Sequence, residues 1–102
     1  MSRTVIVSGT FRILSDAIEA WRPHAIAMLE APRAEPGCRV YSYAHDAGDA
    51  ALIRVYEEWE SGDALAHHFE TPHMRVCREV LAELGAFERD IRRFEAGEGE
   101  PV

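Results

Sequence analysis

Apolar positions fall into blocks along the chain, and their spacing changes from block to block. Residues 4–11, TVIVSGTF, open with β-branched side chains and read as a strand. Ile18, Trp21, Ala25, Met28 and Leu29 then recur at helical spacing. Ser15 is placed to cap that helix, and Asp16 and Glu19 fall in its first turn, where the helix dipole favours acids. Pro23 lies inside the pattern; it lacks an N–H and crowds the carbonyl four residues back, which predicts a kink or a restarted helix. Residues 38–45, CRVYSYAH, and 51–59, ALIRVYEEW, read as strands of a hairpin around the turn residues DAGD, 46–49. Residues 61–70 predict a short helix, which Thr71-Pro72 ends. The same two residues start the next helix, as cap and first position, and it runs to Gly85. Its apolar stripe is His73, Val76, Cys77, Val80, Leu81 and Leu84. Residues 86–94 read as a last strand.

The order is βαββαβ with the second helix in two pieces. It predicts an α+β, ferredoxin-like domain, an antiparallel sheet with helices on one face, over residues 1–96. The remainder, 97–102, is glycine-rich and acidic and is expected to fray.

A sheet covered on one side should alternate apolar and polar residues. Strand 51–59 does not: Ile53, Val55 and Trp59 point one way, Leu52 and Tyr56 the other. The first strand likewise sets Val5 and Val7 against Ile6. Each large apolar group left wet forgoes roughly 1.5–3 kcal/mol. A second copy of the chain, sheet against sheet, is the simplest cover, so a homodimer is expected.

Composition narrows the function. The net charge of -7, with no cationic stripe, excludes a phosphate-tracking nucleic-acid surface. No apolar run approaches a membrane span of about 18–20 residues, and the N-terminus lacks the character of a leader, so a cytoplasmic protein is expected. Cys38 and Cys77 lack zinc-type spacing and read as free thiols. All eleven basic residues are arginine, and asparagine and glutamine are absent too. That removes lysine Schiff bases, phosphate-loop lysines and side-chain amides in an oxyanion hole.

Histidines are concentrated in HHFETPH, 67–73. His73 and Cys77 share a helix face at i, i+4, but the sequence names no third ligand, and no metal is expected. His67 and His68 diverge by about 100° on a helix, so only one of them can face the sheet.

EPGCRVY (35–41), YEEWES (56–61), AL (64–65) and HFETPH (68–73) together resemble the antibiotic biosynthesis monooxygenase family. The resemblance covers residues 4 to about 94. It implies a dimeric α+β barrel and, in the better-known members, oxidation of phenols or quinols by dioxygen without flavin, haem or metal. On that pattern the partner is a small aromatic or quinol-like ligand, and no cofactor is needed. His68 takes the family's recurrent histidine position and is the expected proton acceptor. His73 takes the second position. Glu57 and Trp59 match the family's ExW pair. Trp59 is either core or an aromatic wall, and Tyr41 and Tyr43 are either packing aromatics or pocket hydroxyls. Arg54 either steadies an anionic oxygen or makes a dimer salt bridge. One strand face lines the pocket and the other the dimer interface. The family also holds haem-cleaving members, whose first-strand asparagine is missing here, and a sugar-phosphate isomerase, for which no cationic phosphate site is apparent. A binding or stress-response module without turnover is the remaining alternative.

Overall fold

A computed structural model describes residues 3–102. The elements are β1 (Thr4–Arg12), a 3-10 turn (Ser15–Ala17), α1 (Ile18–Arg33), β2 (Cys38–Asp46), β3 (Asp49–Trp59), α2 (Gly62–Phe69), α3 (Pro72–Glu83) and β4 (Phe87–Ala96). The four strands form one sheet in the order β2-β3-β1-β4, with every neighbouring pair antiparallel. This is the ferredoxin-like α+β fold. Residues 97–102 carry no secondary structure.

Local chemistry explains most boundaries. The Ser61 hydroxyl accepts from the Ala64 amide, and the Thr71 hydroxyl from the Met74 amide, so α2 and α3 each begin on a side-chain cap. Pro72 at the start of α3 loses no intrahelical bond. Two expectations for α1 are corrected. Ser15 is not its cap: Ser15 opens the 3-10 turn and Ala17 occupies the cap position, with no side-chain bond. Nor does Pro23 restart the helix, because α1 runs unbroken past both Pro23 and Pro32. The carbonyl that Pro23 leaves without an intrahelical partner belongs to Glu19, an exposed residue of the first turn.

Val5, Val7, Phe11, Ile53, Val55 and Trp59 point at the helices and meet Trp21, Met28, Leu65 and Cys77 in the core. Val76 leaves the α3 stripe and is largely exposed. Strand β4 lies at the sheet's edge, and no helix covers it fully; most of its residues are exposed. It approaches β1 closely at Gly9, where a Cβ would stand 2.0 Å from the Asp90 carbonyl oxygen, so no side chain fits there. The sheet's other face carries Ile6 paired with Phe94, and Leu52 and Tyr56 on β3. Phe94 is 51% exposed and Tyr56 37%.

Candidate functional site

The helix-facing side of the sheet holds a cavity of about 690 Å³, bounded by α2, α3 and β4. Its floor is largely apolar, with Val7, Phe11, Val55 and Leu65 among the lining. Three polar side chains of that floor come from the sheet: Tyr41, Tyr43 and Glu57. Alternation puts the two tyrosines on one face of β2, and their hydroxyls lie 3.2 Å apart. The Tyr43 hydroxyl also approaches the Cys77 sulfur at 3.8 Å. Burial pushes both phenols well above the usual range, so both stay protonated and can donate.

Glu57 is the carboxylate of this cavity. It is only 6% exposed, and the Trp59 indole Nε1–H donates to its Oε1 at 2.9 Å. Burial raises its pKa to about 7; the indole hydrogen bond opposes that rise, and the charge of Glu35 adds to it. A carboxyl group that titrates near neutrality, in an apolar cavity, is suited to proton transfer.

A second polar cluster lies behind this one. Glu35, in the turn after α1, accepts from two imidazoles through one oxygen: His68 Nδ1–H at 2.7 Å and His73 Nε2–H at 2.8 Å. The carboxylate is an acceptor only, which assigns those two ring protons. Gly37 shapes the turn. Its φ is +83°, and a Cβ there would meet the Ala64 Cβ at 2.7 Å. His68 has no exposed surface, and its ring lies 4.7 Å from that of Trp59 and 5.4 Å from that of Tyr41. Burial lowers its pKa, against the pull of Glu35, so its neutral form is favoured. His68 Nε2 and Glu35 Oε1 are buried without a partner.

Glu35, His68 and His73 supply a two-histidine, one-carboxylate set with ligand atoms within 4.8 Å of one another. The set differs from the His73–Cys77 pair that helical spacing offers: Cys77 is not in it, and Glu35 and His68 are. Here one oxygen stands at hydrogen-bond distance from both nitrogens. The cluster is a hydrogen-bonded knot that ties the turn after α1 to α2 and α3.

Of the six residues singled out from sequence, Tyr41 and Glu57 line the cavity. The other four do not. Arg54 is on the opposite sheet face, exposed and bonded to Asp46 at 2.9 Å, so it does not reach the cavity. Trp59 is completely buried and meets the site from behind, through its hydrogen bond to Glu57 and its edge-on contact with Tyr41. His68 sits beneath Trp59 and Tyr41 rather than in the wall. His73 faces a separate recess of about 160 Å³ beside Trp21, His24 and Met28. Tyr43, which the sequence offers beside Tyr41 as a packing aromatic or a pocket hydroxyl, also lines the cavity, whereas Glu35 and the arginines of the cavity's edge are not singled out by the sequence. Tyr43 was legible as the i+2 neighbour of Tyr41. Glu35 was part of a quoted motif, but no periodicity links a turn residue to histidines 33 and 38 positions away.

A ferredoxin-like sheet with a buried carboxylate in a cavity under its helices defines the class. The model of the antibiotic biosynthesis monooxygenase family matches residues 4–80, and the chain belongs to that family. It is 33% identical over 84 residues to Rv0793, a candidate monooxygenase of Mycobacterium tuberculosis, covering 82% of each protein. It is 28% identical over 94 residues to the uncharacterized protein sll1783 of Synechocystis, covering 92% of this chain and 64% of that protein's length. Among solved structures, a candidate antibiotic biosynthesis monooxygenase of Deinococcus radiodurans superposes with a TM-score of 0.90 at 24% identity, over 96% of this chain and 97% of that one. Identity that low speaks for the fold alone. No helix among the described residues is long and apolar enough to cross a membrane.

Proposed function

We propose that the protein is a cofactor-independent monooxygenase of a phenolic or quinol small molecule, with Glu57 as the proton acceptor. The observation that carries this reading is Glu57 itself: a buried carboxylate with a pKa raised to about 7, fixed by Trp59 and facing an apolar cavity. In the proposed reaction Glu57 takes the phenol proton. The phenolate passes one electron to dioxygen, and the radical pair joins at a ring carbon. The proton on Glu57 returns to the resulting peroxide. Loss of the ring hydrogen and of hydroxide as water leaves the quinone, so phenol plus dioxygen gives quinone plus water. Tyr41 and Tyr43, held protonated, donate to the oxygen that gains charge. His68 is a positioning residue in this scheme, packed under Trp59 and Tyr41.

Dialysed protein is therefore expected to consume dioxygen with at least one member of a panel of naphthols and hydroquinones, one dioxygen per quinone formed. A cavity that binds such compounds without oxygen uptake would make the protein a binding module instead.

The same reading includes a homodimer through the open sheet face, where Ile6, Leu52, Tyr56 and Phe94 await a cover. Light scattering at micromolar concentration should return twice the chain mass of 11.5 kDa. A stable monomer would contradict it.

A further inference from the structure

The chain is acidic, with 18 carboxylate residues against 11 arginines, yet the cavity reverses that balance. Arg78, Arg89, Arg92 and Arg93 line it, against Glu57 as the one acid. Arg92 is paired with Asp90 at 2.9 Å. Among the described residues, Arg78, Arg89 and Arg93 have no carboxylate within 4.0 Å. Their positions are also unexpected. Residues directly opposite in an antiparallel pair share a face, so Arg93, opposite Val7, points to the helix side with the core. Alternation carries Ile91 and Arg89 to that side too. A strand whose inner face packs a core should be apolar at these positions, and two of the three are arginine. The Arg89 charge acts on Glu57, opposing the rise of its pKa, but no carboxylate lies close enough to pair with either arginine, and such a break in pattern marks a functional position rather than a packing one.

We propose that the cavity selects ligands with an apolar aromatic body and an anionic group, which Arg78, Arg89 and Arg93 hold at its open edge. The proposal rests on the reading of the cavity as a ligand site. Guanidinium groups offer paired N–H donors that match the two oxygens of a carboxylate or the oxygens of a phosphate. The apolar, aromatic lining selects the body and disfavours a compact polar one such as a sugar phosphate. The anion at the edge also orients the ring, directing its far end to Glu57 and the tyrosine pair.

Naphthalene-2-carboxylate and 2-naphthalenemethanol share a ring system and differ in charge. Calorimetry with wild-type protein should give about ten- to hundredfold tighter binding of the carboxylate at low salt, the range of charge-assisted hydrogen bonds. The preference should shrink at high ionic strength, since the arginines are solvent-exposed. In the Arg89→Gln/Arg93→Gln double variant it should fall to within a few fold, with the alcohol's affinity unchanged. Retained alcohol binding shows that the variant is folded. Equal affinity of the two compounds in wild type, a preference that survives in the double variant, or loss of alcohol binding there would each overturn the anion subsite and leave the cavity reading intact. Inorganic phosphate binding as tightly as the naphthoate would overturn the aromatic half of the proposal. Binding of neither naphthalene compound would remove the proposed aromatic substrate as well.

Discussion

Glu57→Gln is expected to reduce turnover of the phenolic substrate about 10²- to 10⁴-fold, the usual contribution of a general base, while making the protein more stable at alkaline pH. The amide keeps the acceptor for the Trp59 indole and nearly the same volume, so the site keeps its shape. It loses only the proton chemistry. The stability gain follows from linkage. The Glu57 pKa rises from 4.5 to about 7 on folding, so between those values the native state holds a proton that the unfolded chain has released. Stability therefore falls as pH rises through that window, by roughly 2–4 kcal/mol at 1.36 kcal/mol per unit. His68 acts with the opposite sign. Its folded pKa is lowered, so its contribution is complete above its ordinary value of 6.5 and is lost on acidification. The difference between wild type and variant isolates Glu57. Denaturant titrations at pH 5 and pH 8 should show the variant ahead of wild type by a margin that grows with pH. A margin that does not change would remove the buried ionising carboxylate from the account.

Glu35→Ala should be the more damaging change to the fold. One carboxylate oxygen serves two imidazole donors, and both His68 and Glu35 are buried. Removing it strands the Nδ1–H of His68 in the interior, frees the His73 donor and leaves a void beside the two imidazoles. An unsatisfied buried donor costs about 1–3 kcal/mol, and with the second lost bond the total should be about 2–4 kcal/mol. The turn after α1 would also lose its tie to α2 and α3. His67→Ala, on the exposed side of α2, should change stability by less than about 0.5 kcal/mol. Chemical denaturation of the two variants beside wild type measures both. An alanine at 35 that unfolds with the wild-type midpoint would show that the knot contributes nothing to stability.

The order of elements was legible because it depends on local pattern. Period-two blocks made the strands, a 3.6-residue period made the helices, and Thr71-Pro72 marked both an end and a beginning. What escaped depends on chain segments distant in sequence. Arg93 is an inner-face residue only because β4 pairs with β1 in a particular register, opposite Val7. Glu35 matters only because the turn after α1 folds onto the junction of α2 and α3. The histidine cluster drew attention because its members are neighbours in sequence, yet the fold sends His67 to solvent, His68 into the core and His73 to a separate recess. The residue left facing the cavity with a pKa near 7 is Glu57, which the sequence marks only as half of the ExW pair and not as a proton acceptor. Burial made the difference, and burial on a strand with apolar residues on both faces could not be assigned before the helices were placed.

The central claim is that Glu57, not solvent, accepts the phenol proton in the cavity. The pH dependence of kcat/KM for oxygen uptake tests it most directly, because it reports the essential base of the free enzyme. The account predicts a rise with unit slope that levels off above pH about 7, the value to which burial lifts Glu57. A profile that is flat through pH 7 and climbs only with the ionisation of the phenol itself, or one that levels off near pH 4.5, would contradict it.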